Sequence, residues 1–328
     1  MKSSKLFGIG YSLALTGFTA WLALDTFVIP HAYQPAAPAP TAAVILQAAD
    51  TPAPTAARQN SRGKSGSTRS QTRQKTTEAT IQPSIPADNP SAYSDGQTSV
   101  TLTTYRVEDT TVYVADVVLS SPDALSAVLA RDTYGRNITE APSSMAQRTS
   151  AVLAVNGDYY GAREKGYVVR NGVLYRASSQ RGQEDLVIDE SGDFSIIRED
   201  EISAEALVQN GAAQVLSFGP ALVENGGVTV SPQDEVGRAM ASNPRTALAQ
   251  VGPLHYLFAV ADGRTSASQG LSLYQLAQFL QSLGAQTAYN LDGGGSSVMV
   301  FNGQVVNTPT TTGNRSGERS VSDIVAIF

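Results

Sequence analysis

The chain has 328 residues, a net charge of −6, two histidines and no cysteine. The lack of cysteine excludes disulfides, a thiol nucleophile and a cysteine-ligated metal, and two histidines give little basis for a histidine-rich metal centre. From Pro90 onward, 15 basic residues stand against 25 acidic ones, which disfavours nucleic acid as a partner. The sequence requires no cofactor. A metal would need mainly oxygen ligands, so Ca²⁺ or Mg²⁺ is left open.

The first segment, 1–29, has the pattern of a transmembrane anchor or signal segment. Lys2 and Lys5 precede a mostly apolar run over 6–24, whose 19 residues are enough to span a bilayer. Because the lysines lie before the run, we expect a single-pass anchor in the cell membrane, with the rest of the chain extracytoplasmic. The alternative is a cleaved export signal, which would give a secreted protein.

A change of composition after this segment predicts a linker. Residues 30–95 are rich in Ala, Pro, Ser, Thr and basic residues and contain little to bury, which is typical of a disordered tether. We expect 96–328 to form one domain, because its candidate site residues come from both of its ends.

The domain is expected to consist mainly of strands joined by turns. Asn171-Gly172 and Ser191-Gly192 are hairpin signals. The predicted elements before residue 252 are strands at 100–105 and 112–119, helices at 122–130 and 144–149, a strand at 151–155, hairpins at 168–176 and 186–198, a helix at 203–210, and a strand led by 243–247 and running through 251. A last strand is predicted at 324–328.

A helix with clear end signals lies between two further strands. Ser272 and Gln275 are spaced for a capping box, and Gly284 fits the end of the helix. The strands are 254–261 and 287–291. Short connections make this a β-α-β unit with parallel strands. The fold class is therefore α+β, with a mixed β-sheet core, few helices and one β-α-β unit, preceded by the N-terminal membrane anchor.

The two strands of this unit should bring their carboxyl ends to one edge. Asp262 and Arg264 follow the first strand and Asp292 follows the second, at a crevice where open α/β sheets bind ligands. Three glycines and two serines come next, and their N–H groups and hydroxyls predict an anion cradle. The alternative is a tight turn. No Gly-Lys-Ser/Thr ending follows, which disfavours ordinary ATP binding.

Six short motifs together resemble the phosphodiester glycosidase family. Each is modest, but the ordered set is specific and covers roughly 96–328. The motifs are Asn156-Gly157-Asp158-Tyr159-Tyr160, Ser217-Phe218-Gly219-Pro220, Asn243-Pro244-Arg245-Thr246-Ala247, Asp262-Gly263-Arg264, Asn290-Leu291-Asp292-Gly293-Gly294-Gly295-Ser296-Ser297 and Glu318-Arg319-Ser320-Val321-Ser322-Asp323. The resemblance implies hydrolysis of a sugar-1-phosphodiester at its glycosidic bond. Bacterial relatives are often exopolysaccharide or cell-wall proteins.

The implied reaction passes through an oxocarbenium-like transition state, which needs a nearby carboxylate. Asp292 and Asp158 are the first candidates for this catalytic role, and Asp262, Glu318 and Asp323 are the reserve candidates. Each aspartate could instead cap a turn with its side chain. We favour the catalytic interpretation because the candidates converge on one site.

Phosphate binding falls to the arginines of the motifs. Arg245, Arg264 and Arg319 could hold a phosphate through planar guanidinium groups, although structural ion pairs are an alternative for Arg245 and Arg319. The other predicted substrate-binding residues are Asn156, Gly293, Gly294, Gly295, Ser296 and Asp323.

The leading hypothesis is an extracytoplasmic hydrolase acting on a sugar-phosphodiester of the cell envelope or an exopolysaccharide. One alternative is a catalytically silent module that binds cell-wall glycan. Another is a metal-dependent phosphodiesterase that cuts a P–O bond. The expected partners are this glycan substrate and, through the N-terminal segment, a membrane.

Overall fold

The computed structural model describes residues 2–35, 82–84, 92–234, 242–311 and 315–328. Helices are few in this part of the chain: α1 Lys2–Phe27, α2 Pro142–Thr149, α3 Ala204–Gln209 and α4 Leu273–Ser282. The first ten strands are β1 His31–Pro35, β2 Gln82–Ser84, β3 Ala92–Ser94, β4 Thr98–Val107, β5 Thr110–Leu119, β6 Leu125–Leu129, β7 Thr133–Arg136, β8 Leu153–Asn156, β9 Val168–Arg170 and β10 Val173–Arg176.

The later strands are β11 Glu184–Asp189, β12 Phe194–Arg198, β13 Ala212–Leu216, β14 Ala221–Glu224, β15 Gly227–Val228, β16 Arg245–Gly252, β17 His255–Ala261, β18 Thr287–Asn290, β19 Met299–Phe301, β20 Gln304–Val305 and β21 Asp323–Ile327. The sheet-rich α+β class predicted from the sequence is confirmed.

Three large sheets organise these strands. The central sheet has the order β15-β14-β18-β16-β17-β5-β4-β2, with β3 also paired to β4. The middle sheet has the order β10-β9-β13-β11-β12, and the terminal sheet has the order β20-β19-β8-β21-β6. β1 and β7 form a separate pair.

The three sheets share one apolar core. Leu248 and Phe258 of the central sheet, Leu186 of the middle sheet and Val155 and Val325 of the terminal sheet belong to the same buried cluster. Each of these sheets also has a helix on another face: α4 packs on the central sheet, α2 on the terminal sheet and α3 on the middle sheet. Burial of each large apolar side chain contributes about 1.5–3 kcal/mol. The core therefore fixes the relative positions of the sheet edges.

Helix α4 begins and ends as its sequence predicts. The Ser272 side chain accepts from the Gln275 N–H, and the Gln275 side chain accepts from the Ser272 N–H, which completes the capping box. Gly284 has a φ of 95°, a left-handed conformation that favours glycine after a helix. Leu276 and Leu280 face the central sheet. The hairpins predicted at 168–176 and 186–198 are present as β9 with β10 and β11 with β12, and the strands β4 and β5 also pair antiparallel.

The β-α-β unit places three chain segments at one sheet edge. β17 and β18 each pair antiparallel with β16, so they run parallel to each other with β16 between them. All strand pairs in the described sheets are antiparallel, so the two strands of the unit are parallel as predicted but are not hydrogen-bonded neighbours. The ends of β17 and β18 and the start of β16 therefore meet at one edge, which carries Asp262, Asp292 and Arg245.

The helix predicted at 122–130 is wrong. Only Pro122–Ala124 forms a 3-10 turn, and Leu125–Leu129 is strand β6, which pairs with β21. All five residues of β6 are buried. A strand covered on both faces shows no alternation of apolar and polar residues, so its sequence does not distinguish it from a short buried helix.

The N-terminal segments differ in part from the prediction. β1, β2 and β3 lie within the predicted linker 30–95 and pair with β7 or β4, while residues 36–81 and 85–91 lie outside the described residues. In the described residues, no helix combines the length and apolar character needed to cross a membrane, so the predicted anchor is not supported.

Candidate active site

Asp292 is a partly open carboxylate at the edge of the central sheet. It follows β18, and 14% of its side-chain surface is exposed. Its Oδ2 lies 3.2 Å from Nη2 of Arg319, whose Nε donates to the Ser296 hydroxyl at 3.0 Å. Burial raises the pKa of Asp292 above its ordinary value, while Ser296 and Arg319 oppose this rise. The carboxylate is thus accessible and lies directly beside a guanidinium group.

Arg163 is a second cation at this edge, and the sequence did not identify it. Its Nη1 donates to the Ser217 carbonyl at 3.2 Å, and its guanidinium carbon lies 5.0 Å from the centroid of the Phe218 ring. Its positive charge lowers the pKa of Asp292. The available signal was its position just after the motif 156–160. The structure therefore adds Arg163 to the candidate phosphate-binding residues.

Asp158 belongs to a buried ion cluster behind this edge. Its Oδ1 accepts from the Tyr160 N–H at 3.0 Å and its Oδ2 accepts from the Ser217 N–H at 2.9 Å. Arg170 Nη2 lies 2.8 Å from both Asp158 Oδ2 and Asp323 Oδ2, and Arg170 Nε also donates to Asp323. All three side chains of the cluster are almost fully buried. Asp158 therefore has an internal donor or cation at each of its oxygens.

Asp323 joins the buried cluster to the motif 156–160. The Gly157 N–H donates to its carbonyl, and a side chain at Gly157 would collide with its carboxyl group. This close approach explains the glycine. Burial and the charge of Asp158 raise the pKa of Asp323, and Arg170 opposes the rise. Its Oδ1 has no hydrogen-bond partner within the described structure.

A second buried acidic group lies beneath Ser217. Asp185 and Glu199 are both buried, and Glu199 accepts from the Ser217 hydroxyl at 3.1 Å and from the Tyr167 N–H at 2.6 Å. Burial, followed by the neighbouring Glu199, raises the pKa of Asp185 to about 10. Asp185 is therefore protonated and neutral at pH 7. Asp185 and Glu199 thus lie beneath Ser217, whose backbone binds both Asp158 and Arg163.

Asn156 positions the edge from inside. Its Nδ2 donates to the Asp292 carbonyl at 2.6 Å, and its Oδ1 accepts from the Thr246 hydroxyl at 2.8 Å. Its side chain thus ties the terminal sheet to the central sheet and has no free face for a ligand. The hydrogen bond to the Asp292 carbonyl holds the Asp292 backbone in place, and the predicted role of Asn156 in substrate binding stays a prediction.

Two of the predicted carboxylates, Asp262 and Glu318, already accept hydrogen bonds from backbone and side-chain groups of the protein. Asp262 Oδ1 accepts from the Thr308 N–H at 2.9 Å and from Asn307 at 3.2 Å, and burial raises its pKa. Glu318 accepts from the N–H and hydroxyl of Ser143 at 3.0 and 2.5 Å, in the first turn of α2. Both therefore have the geometry of caps rather than of free acids or bases.

The arginines predicted for phosphate binding lie in different environments. Arg319 contacts Asp292 as described. Arg264 is exposed, donates weakly to Asn243 at 3.2 Å, and would lie 2.7 Å from a Cβ added at Gly294. Arg245 is buried and its Nε donates to the Leu271 carbonyl at 2.9 Å. Arg319 and Arg264 are thus open to a ligand beside the glycine loop, and Arg245 is held inside the protein.

The glycine-rich loop at 293–297 mainly packs against the rest of the protein. The Gly294 N–H donates to the Pro244 carbonyl at 2.9 Å, and the N–H groups of Ser296 and Ser297 donate back within the loop. A Cβ at Gly293 would lie 2.9 Å from the Pro244 carbonyl oxygen. The predicted anion cradle is therefore largely occupied by the protein itself. Gly295 lies beside Arg319, so the guanidinium groups are the main candidates for contact with an anion.

Among the residues that the structure describes, no group of three or more acidic or histidine side chains could hold a metal ion. The expectation that no cofactor is required, with Ca²⁺ or Mg²⁺ left open, stays a prediction.

The class of protein follows from fold and site together: an α+β domain with a carboxylate and guanidinium groups at one sheet edge. The chain belongs to the phosphodiester glycosidase family, whose model matches residues 149–328. This membership supports a hydrolase that acts on a phosphodiester-linked sugar.

Two curated relatives agree with this membership. One is the SPbeta prophage-derived uncharacterized protein YomE of Bacillus subtilis (strain 168), 29% identical over 201 residues. The other is the mouse N-acetylglucosamine-1-phosphodiester alpha-N-acetylglucosaminidase, 44% identical over 50 residues. The matches cover 59% and 15% of this chain but only 30% and 10% of these relatives.

Two solved structures share the fold. The zebrafish N-acetylglucosamine-1-phosphodiester alpha-N-acetylglucosaminidase catalytic domain, auto-inhibited by its pro-peptide, has a TM-score of 0.55 and 21% identity, covering 76% of this chain and 87% of that one. A hypothetical protein from Synechocystis has a TM-score of 0.50 and 16% identity, covering 74% and 64%.

Proposed function

We propose that this protein hydrolyses the glycosidic bond of a sugar-1-phosphodiester and releases the free sugar and a phosphomonoester. The observation that carries the proposal is the accessible Asp292 carboxylate, which lies 3.2 Å from Arg319 and within the electrostatic influence of Arg163. A carboxylate stabilises positive charge at the sugar carbon, and guanidinium groups stabilise the departing phosphate. Family membership supports the same chemistry.

In this mechanism the C1–O bond breaks and its electron pair stays on the phosphate oxygen. Asp292 faces the positive charge that develops at C1, and water supplies the new hydroxyl group at that carbon. The proton from water leaves with the phosphate or the solvent. Because phosphate is a good leaving group, Arg319, Arg163 and Arg264 replace much of the need for a strong general acid.

The buried residues have positioning roles in this proposal. Asn156 fixes the Asp292 backbone, and the cluster of Asp158, Arg170 and Asp323 fixes the end of β8. Ser217 connects this cluster to Arg163, because its N–H binds Asp158 and its carbonyl binds Arg163. The edge is thus assembled before the substrate arrives, which is the condition for efficient electrostatic catalysis.

Location outside the cytoplasm is part of the proposal, with a cell-envelope or exopolysaccharide glycan as the natural substrate. Its support is the basic start and apolar run of 1–29. Added protease should degrade the domain in intact spheroplasts, while a cytoplasmic marker survives. Protection equal to that of the marker would contradict this location.

The reaction is tested with the full chain, a synthetic sugar-1-phosphodiester and water labelled with oxygen-18. Cleavage at the glycosidic bond puts the label in the C1 hydroxyl of the released sugar. Label in the phosphate would overturn the proposal in favour of a phosphodiesterase. Glycan binding without any release across several sugars would favour the silent binding module.

A further inference from the structure

A cavity of about 510 Å³ opens at the Ser217–Pro220 motif. Its volume is within the range of about 300–1,000 Å³ that is usual for small-molecule sites. The side chains that define its chemistry are Glu184, Phe218, Pro220, Thr229, Gln233 and Asp234. The cavity therefore combines an aromatic ring with acidic, amide and hydroxyl groups.

The cavity lies at the same sheet edge as Asp292. β14 pairs antiparallel with β18, and Ala221 at the start of β14 is opposite Tyr289 near the end of β18. Gly219 continues this contact, since it exchanges hydrogen bonds with Asn290, two residues before Asp292. The cavity thus flanks Asp292 on the side away from β16.

The cavity differs in charge from the neighbouring part of the site that contains Arg163 and Arg319. Among the residues that the structure describes, its lining contains two carboxylates, Glu184 and Asp234, and no lysine or arginine. The Glu184 carboxylate accepts from the Ala221 N–H at 3.2 Å and lies 3.6 Å from exposed Arg198, and Asp234 accepts from the Ser231 N–H at 2.6 Å. Each carboxylate still has acceptor capacity for a ligand hydroxyl.

Phe218 connects the two environments. Its surface lines the cavity, and its ring also carries the guanidinium group of Arg163 at 5.0 Å from the centroid. A ligand with its phosphate at Arg163 and Arg319 would extend over Phe218 into the acidic cavity. An anionic group would be repelled there, whereas hydroxyl groups would find acceptors.

We propose that this cavity is the sugar subsite and that it selects a hydroxyl-rich ring without an acidic substituent. The inference rests on the proposed function, because it takes Asp292 as the carboxylate that faces C1. Phe218 supplies an apolar surface for the ring, and Glu184 and Asp234 accept its hydroxyl hydrogens. A uronate, which differs from a hexose only by a carboxylate at C6, brings a third negative charge into the cavity.

Equilibrium binding to the full chain tests this without requiring turnover. The probes are the methyl glycosides of glucose, galactose and mannose, each paired with its uronate, and binding is followed by calorimetry or ligand-observed NMR. At least one neutral sugar should bind about 10-fold or more tightly than its uronate, a difference of about 1.4 kcal/mol. Equal affinity within every pair, or binding of none of the six, would overturn the proposal.

Variants locate the selectivity in the cavity. Glu184→Gln and Asp234→Asn should each narrow the preference for the neutral sugar, and Phe218→Ala should weaken its binding about 10-fold. Glu190→Gln is the matched control, because Glu190 is exposed beyond the other end of β11. Unchanged selectivity in both charge variants would contradict the assignment.

The two proposals fail in distinguishable ways. Selective sugar binding without hydrolysis of any phosphodiester would remove the proposed function and keep the subsite. Hydrolysis that is indifferent to the cavity variants and to the uronate carboxylate would remove the subsite and keep the function.

Discussion

Two aspartates follow strands with the same local pattern but have different surroundings. β8 ends at Asn156 and β18 ends at Asn290, and an aspartate comes two residues after each. Asp158 is 2% exposed and receives two backbone N–H groups and Arg170. Asp292 is partly open beside the exposed Arg319. The difference teaches that a strand-end aspartate becomes structural or accessible according to the distant residue that pairs with it.

The largest expected effect, a loss of stability, comes from removing the buried cation that pairs with Asp158. Arg170→Met would leave Asp158 and Asp323 without their cation in a buried position. We expect the free energy of unfolding to fall by about 3–5 kcal/mol, measured by urea denaturation. The matched change Arg319→Met, beside Asp292, should cost about 0–1 kcal/mol because the Arg319 side chain is exposed. Equal losses in the two variants would contradict the contrast.

The buried carboxyl groups of Asp185 and Glu199, near Asp158, predict a pH dependence of stability that further distinguishes the buried region from the accessible one. Burial raises the pKa of Asp185 in the folded chain from 3.8 to about 10, so the folded state binds the extra proton between these values. The contribution of this proton to the free energy of unfolding is fully present below about pH 4. It decreases as pH rises above that value and is lost once pH passes the folded pKa. The free energy of unfolding should therefore fall with pH, by up to about 1.4 kcal/mol per unit from this group.

Asp185→Asn keeps the size and polarity of the buried side chain and removes its titration. Its unfolding free energy, measured by urea denaturation between pH 5 and 8, should fall less steeply with pH than that of the natural chain. Glu190→Gln, at an exposed site, is the control and should leave the slope unchanged. A slope in Asp185→Asn equal to that of the natural chain would show that Asp185 does not carry the extra proton of the folded state.

The sequence predicted the accessible region better than the buried one. The capping box of α4, the strands on either side of it and the strand-end position of Asp292 depend on local signals. Arg170 and Arg163 were missed because their importance depends on which sheets meet, and nothing near them in sequence shows this. The hydrogen bond that Asp262 accepts from Thr308 was not predicted for the same reason, since Thr308 lies 46 residues away.

Packing also explains why the glycine-rich motif was harder to interpret. Gly263 and Gly293 approach the backbone of Pro244 from two loops, and a Cβ at either would lie within 3.0 Å of it. A sequence shows that glycine is present but not which neighbour requires it. The strand β6 was missed because full burial removed its alternation.

An intermediate effect is expected at the accessible side, from Arg163. Arg163→Lys keeps the charge but loses the planar fork and its position over Phe218. We expect kcat/KM for a sugar-1-phosphodiester to fall about 10-fold, which is about 1.4 kcal/mol, with stability nearly unchanged. Arg131→Lys, at an exposed arginine between β6 and β7, is the control. An unchanged kcat/KM in Arg163→Lys would exclude a phosphate contact.

The smallest effect on catalysis is expected at Glu318, which the sequence placed among the candidate acids. Its carboxylate caps α2 through Ser143. Glu318→Ala should lower the free energy of unfolding by about 1 kcal/mol, as for loss of a helix cap, and leave kcat within about 2-fold. A fall of kcat by 100-fold with the fold intact would restore its catalytic role.

The central claim is that Asp292 is the reacting carboxylate, and kcat of Asp292→Asn tests it most directly. The substitution keeps the shape of the side chain and removes its charge. With a sugar-1-phosphodiester at saturating concentration and an unfolding curve that confirms the fold, kcat should fall by at least about 100-fold. A kcat close to that of the natural chain would contradict the claim and leave Asp292 as a turn residue.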